Sequence, residues 1–225
     1  MTRQNPNEVL RKPADGMSKP PKTMKLIPIT LLLVLSACTL RSSTSIDPGP
    51  ATARWIVEYL DLEVSHPPFE KVHADWKVRK PVPYVYVEHQ GTYADTGSLI
   101  PMLQRELRAQ GLVADGPPFC LFYDNPKVTP TEGLHSRACI PIQGQVQVLA
   151  PLAFELLPST TVAYAFASGA YPDVPQAWPG IFAYVERQHW VPGGPVREIY
   201  LVAPEAEPNL GQLMSEIEIP VRSAR

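Results

Sequence analysis

Two stretches of alternating polarity, Pro83 to Gln90 and Thr161 to Ser168, each end in Gly-x-Tyr and run into an apolar pattern of helical spacing. Alternation at period two marks a strand with one buried face, and recurrence at three and four residues marks a helix. After Gly91-Thr92-Tyr93 the helical positions are Leu99, Met102, Leu103 and Leu107; after Gly169-Ala170-Tyr171 they are Trp178, Ile181, Phe182 and Val185. Gly-Pro then opens a second strand, Phe119 to Tyr123 or Val196 to Val202. A third closes each stretch, Arg137 to Ile142 and Glu216 to Val221. The two stretches align without a gap at an offset of 78, with nine identities in 36 positions. Ungapped agreement of whole blocks marks an internal repeat. Repeat one covers about 81–142 and repeat two about 159–222. The predicted fold is α+β: two βαββ repeats related by a pseudo-twofold, forming an antiparallel sheet with helices on one face and a ligand groove on the other.

Strand parity assigns the faces. Ala163, Ala165 and Ala167 are small enough to lie beneath a helix, which turns Tyr164 and Phe166 to the far side. In the first repeat Val85 and Val87 face the helix, and Tyr84, Tyr86 and Glu88 face away. On the inner strand Ile199 and Leu201 are expected under the helix, leaving Glu198 and Tyr200 on the far face with Cys120 and Phe122 as their repeat mates. The expected groove therefore gathers Tyr86, Tyr164, Phe166, Phe122, Tyr200 and Glu198, an aromatic wall around one carboxylate.

Upstream of the repeats the pattern changes to a single apolar run, Leu26 to Leu35, with Lys25 before it and Ser36-Ala37-Cys38 after it. This is the layout of a secretory signal rather than of a membrane-spanning helix. Leu35-Ser36-Ala37-Cys38 matches a bacterial lipobox, in which the cysteine receives diacylglycerol and becomes the mature N-terminus. Thr39 in place of aspartate points to the outer membrane, and dual acylation is enough for stable anchoring. The polar, proline-rich stretch Met1 to Thr23 makes the signal unusually long, and a start at Met17 or Met24 gives an ordinary one. The expected organisation is a signal peptide over 1–37, a lipidated tether and unassigned segment over 38–66, and a ligand-binding domain over 67–225. Residues 54–64 fit a short helix and a strand equally well.

Charge narrows the partners. From Cys38 onward fourteen basic residues stand against twenty acidic ones, with no Lys/Arg run and no helix-turn-helix pattern. That balance argues against nucleic acid, which rewards clustered cations. Cys120 and Cys139, the two cysteines left after Cys38, lie on consecutive strands joined by a loop. If that hairpin is symmetric about Thr129 and Pro130, they face each other and form a disulfide in an oxidising compartment; two buried free thiols are the alternative. The histidines at 66, 73, 89, 135 and 189 show no metal-ligand spacing, so neither a metal nor another cofactor is expected.

From about Pro81 to Arg222 the chain resembles the GyrI-like small-molecule-binding domain, also found as the effector domain of AraC-type and MerR-type regulators. The resemblance rests on Tyr86 with Gly91-Thr92-Tyr93, the Tyr123-Asp124-Asn125-Pro126 corner, Gly169-Ala170-Tyr171, and Glu198-Ile199-Tyr200-Leu201. It implies two βαββ units around a groove, with Glu198 contacting ligand and Tyr200 beside it. Relatives usually carry an acid before the second corner proline, whereas here the corner reads Val202-Ala203-Pro204. The function expected is that of a lipid-anchored periplasmic binding protein for amphipathic, cationic or planar aromatic compounds. A hydrolase of strained electrophiles, using Glu198, Tyr200 and Tyr164, is the alternative. The chain has neither a Gly-x-Ser-x-Gly elbow nor a His-Glu-x-x-His motif to support catalysis. An envelope scaffold that binds a protein partner is the third reading.

Overall fold

Glycine makes the two corners at which strand gives way to helix. Gly91 and Gly169 adopt φ of 131° and 139°, backbone that a side chain resists. In the computed structural model, which describes residues 60–224, β1 runs Asp75–Arg79 and β2 Val82–Gln90. Past Gly91 the chain winds through a 3₁₀ turn, Tyr93–Leu99, into α1, Ile100–Ala109. The strands β3, Phe119–Phe122, β4, His135–Pro141, and β5, Ala153–Leu157, follow. The same order returns with β6, Thr160–Ser168, the 3₁₀ turn Tyr171–Ala177, and α2, Trp178–Arg187. It finishes with β7, Trp190–Pro192, β8, Val196–Tyr200, and β9, Met214–Ser223. Pro101 and Pro179 open their helices at positions where a missing N–H costs nothing.

The strands form one antiparallel sheet in the order β1-β6-β9-β8-β3-β4-β2-β5, with β7 paired to the end of β9. The fold is α+β, a curled antiparallel sheet carrying two helices. The strand β1 lies at the sheet's edge, paired with β6. The signal, Cys38 and the tether through Pro50 lie outside the described residues. Of the unassigned stretch, Ser65 forms a parallel bridge to Ala167, and Leu60, Leu62 and Val64 pack on the face away from the helices.

Each face of the sheet has its own core. Beneath the helices Leu103, Leu107, Ile181 and Val185 meet Val85, Val87, Ala163, Ala165 and Ala167, each large side chain contributing on the order of 1.5–3 kcal/mol by burial. The opposite face gathers Tyr84, Phe119, Leu121, Cys139, Tyr164, Phe166, Ile199 and Leu201. The outer strands β2 and β6 obey the expected parity. The inner strands do not: Cys120, Phe122 and Tyr200 lie under the helices, and Ile199 and Leu201 lie on the far side.

The reversal has a physical source. All four residues of β3 and all five of β8 are buried, so these strands have no solvent-facing set to reveal their phase. Glu216 and Glu218 of β9 put two carboxylates on the far face, and Arg197 turns to meet them, its Nη1 donating to Glu218 Oε2 at 3.2 Å. Arg79 donates to the same oxygen at 2.7 Å, and Lys77 pairs with Glu216. With Arg197 on that side, strand alternation sends Glu198 and Tyr200 to the other.

The cysteine pairing fails for a related reason. Cys139 stands opposite Phe119, and Cys120 opposite Ala138. The loop between Tyr123 and His135 holds an odd number of residues, so the hairpin is centred on Thr129 alone. Tyr123 N–H donates to the His135 carbonyl at 3.2 Å, and Asp124 Oδ2 accepts from His135 N–H at 2.7 Å, fixing that frame. A slip of one residue puts the two thiols on opposite faces. Both are buried and free.

Candidate functional site

The six residues expected in one groove divide between the two faces. Tyr86, Tyr164 and Phe166 belong to the far side, whereas Phe122, Tyr200 and Glu198 lie beneath the helices. The far face is not an open groove. Tyr164 donates its hydroxyl to Asp61 at 2.7 Å and has Lys77 over its ring. Arg137 covers Tyr86 and bonds Glu88, Glu155 and the Tyr84 hydroxyl. Glu88 is an ion-pair partner of Arg137 at 2.8 Å.

Under the helices one carboxyl sits among aromatic rings. Glu198 is 2% exposed. Its β3 neighbour is Cys120 and its β9 neighbour Ile217. Trp178, the first residue of α2, donates its indole N–H to Glu198 Oε1 at 2.7 Å. The Tyr200 hydroxyl stands 3.4 Å from Oε2. Phe122 packs on Trp178 at 5.3 Å between ring centres and on Tyr93 at 4.8 Å, and Tyr171 packs on Tyr200 at 4.5 Å. Tyr93 and Tyr171 are half-buried, forming the outer rim of this cluster.

The Gly-x-Tyr signals work structurally at that rim. Tyr93 donates to the Asp124 carbonyl at 3.0 Å and accepts from Asp124 N–H at 2.7 Å. Tyr171 donates to the carbonyl of Val202. Each tyrosine thus ties the turn ahead of a helix to the corner after an inner strand. The corner without an acid, Val202-Ala203-Pro204, is held in the same way, because the contact is to backbone.

Among the described residues no cation pairs with Glu198. Burial pushes its carboxyl up to about 8, and the N–H of Trp178 and hydroxyl of Tyr200 only partly offset this. Burial also drives the Cys120 thiol up to about 12, which keeps it protonated and unreactive. Tyr200 is raised by burial, with Cys120 and Glu198 adding to the shift. At neutral pH Glu198 is therefore a neutral acid inside an aromatic shell. The sequence reading missed Trp178, although an indole N–H at a helix start beneath a buried strand needs an acceptor. Among the described residues no cluster of His, Cys, Asp or Glu could hold a metal, and no helix is long and apolar enough to cross a membrane.

The family model for the GyrI-like small molecule binding domain matches residues 77–222. The chain belongs to that family. Its fold is similar to that of the EcmrR C-terminal domain, at TM-score 0.61 and 19% identity, over 68% of this chain and 99% of the other. It is similar, too, to EcmrR in a complex with DNA, at TM-score 0.61 and 18% identity, over 67% of this chain. This chain spans only 57% of that longer protein's length. No curated protein matches.

Proposed function

We propose that the protein is a lipid-anchored binding protein of the bacterial envelope, facing the periplasm, that takes amphipathic and cationic small molecules at Glu198. Membership of a small-molecule binding family supports ligand binding. The observation that carries the site is Glu198, a carboxyl buried among Trp178, Tyr200 and Phe122 with no cation of its own among the described residues. Rings around a carboxylate favour an organic cation twice, through their faces and through the charge. Tyr93 and Tyr171 complete the rim, whereas Tyr86, Tyr164 and Phe166 take no part, being committed to the opposite face. A panel of amphipathic cations tested by thermal shift checks this reading. A ligand at a hundred times its Kd stabilises by about 2.7 kcal/mol, and a panel of flat responses counts against the site.

Anchoring rests on Leu35-Ser36-Ala37-Cys38. Mass spectrometry of membrane-extracted protein is expected to find diacylglyceryl-Cys38 at the N-terminus, and an unprocessed N-terminus would contradict it. Hydrolysis is the second reading, favoured by a protonated Glu198 within reach of the Tyr200 hydroxyl. Tyr164 drops out of that scheme, since it lies across the sheet. Turnover of a strained electrophile that is lost in Glu198→Gln distinguishes the enzyme from the binding protein.

A further inference from the structure

The binding reading leaves open how a carboxyl so thoroughly buried receives a positive charge, and this inference rests on that reading. Among the described residues the groups facing Glu198 are few. From β8 comes Tyr200, from β3 Cys120, from β9 Ile217 and from the start of α2 Trp178, with Tyr171 stacked behind Tyr200. The titratable ones, Tyr200, Cys120 and Tyr171, are all raised and all neutral near pH 7. The nearest guanidinium along β8, Arg197, projects to the other face and is held there by Glu218. An ionised carboxylate in this position would stand in an apolar shell without a counter-charge, which costs several kcal/mol.

We propose that the site exchanges a proton for a cation: Glu198 is held as the neutral acid while Trp178 and Tyr200 cap it, and it releases its proton when a monovalent organic cation takes their place. The exchange balances. The O–H bond of the carboxyl breaks, the proton passes to solvent, and an ion pair forms with no change in the site's net charge. A neutral ligand displaces the same indole N–H and receives nothing in return. A permanent monocation, such as a quaternary ammonium, supplies the one charge that the carboxylate needs.

Calorimetry of the purified protein tests this directly, using phenyltrimethylammonium and its neutral isostere tert-butylbenzene. Titrations at pH 6 to 9 in buffers of unlike ionisation heat count the protons released. With the acid at about 8, the cation is expected to release about one proton at pH 6 and almost none at pH 9, its Kd tightening about fifty-fold from pH 6 to pH 8. The neutral isostere is expected to release none and to bind independently of pH. Glu198→Gln is expected to abolish both the proton release and the pH dependence. Cation binding at pH 6 with no proton released and a flat Kd overturns the exchange and leaves the binding reading standing. Failure of both probes to bind at every pH brings down the binding reading, and the exchange with it.

Discussion

The indole N–H of Trp178 meets the carboxyl of Glu198 at 2.7 Å, joining the first residue of α2 to the middle of β8. This contact closes the site from the helix side, and among the described residues the acid has donors but no counter-charge. It follows that folding itself is linked to the proton on Glu198.

The sign of that linkage is fixed by the direction of the shift. Burial raises Glu198 from 4.5 to about 8, so between those values the folded chain holds a proton that the unfolded chain releases. Its contribution to stability is intact below the lower value and is lost as pH rises toward the upper one, by about 1.4 kcal/mol per pH unit. Glu198→Gln removes this dependence. We expect the stability difference between variant and wild type, measured by urea unfolding from pH 5 to 8, to move in the variant's favour with that slope. Parallel curves would contradict a neutral buried acid. Glu216, also raised by burial and by neighbouring Glu218, titrates in both proteins and cancels in the difference.

A second expectation concerns Cys120 and Cys139. Adjacent strands carry them, but with their side chains on opposite faces. Denatured protein, never reduced, is expected to alkylate both, whereas native protein is expected to react slowly because both thiols are fully buried. A single mass for the unmodified, denatured chain would restore the disulfide.

On the far face, Glu218 accepts from both Arg79 and Arg197, and all three side chains are less than a tenth exposed. Glu218→Gln leaves two buried guanidinium groups short of their charge partner, and we expect a loss of about 3–5 kcal/mol. Glu88→Gln is the control. Glu88 is 59% exposed at its pair with Arg137, and its loss is expected to cost under about 1 kcal/mol. Equal effects in chemical denaturation would mean that the far face is wetter than its packing indicates.

Much of this architecture was legible in the chain. The alternation in Thr161 to Ser168 marked β6 and its alanine face, and Gly91 and Gly169 marked the corners because few other residues adopt that backbone. Glu198 was legible as an acid on an inner strand, two residues before Tyr200. Its face was not. A strand buried on both sides shows no polar phase, and assigning Ile199 and Leu201 to the helix side assumed that apolar residues mark a single core, where the fold has two. The corrective signal was present in Glu216-x-Glu218, which requires cations on its own face and finds one in Arg197. The hairpin register depended on Asp124 capping His135, a side-chain contact that spacing alone does not reveal.

The central claim is that a cationic ligand is held by Glu198 beneath the helices and not by the aromatic residues of the far face. Its most direct measurement is the affinity of phenyltrimethylammonium and of tert-butylbenzene at pH 9 for wild type, Glu198→Gln and Tyr86→Phe. Charge-assisted contacts of this kind contribute about 1.5–3 kcal/mol. Glu198→Gln is therefore expected to weaken the cation at least about tenfold and to leave the neutral probe within about twofold, while Tyr86→Phe changes neither. Equal loss of both probes in Glu198→Gln, or unchanged cation binding there, would contradict the account.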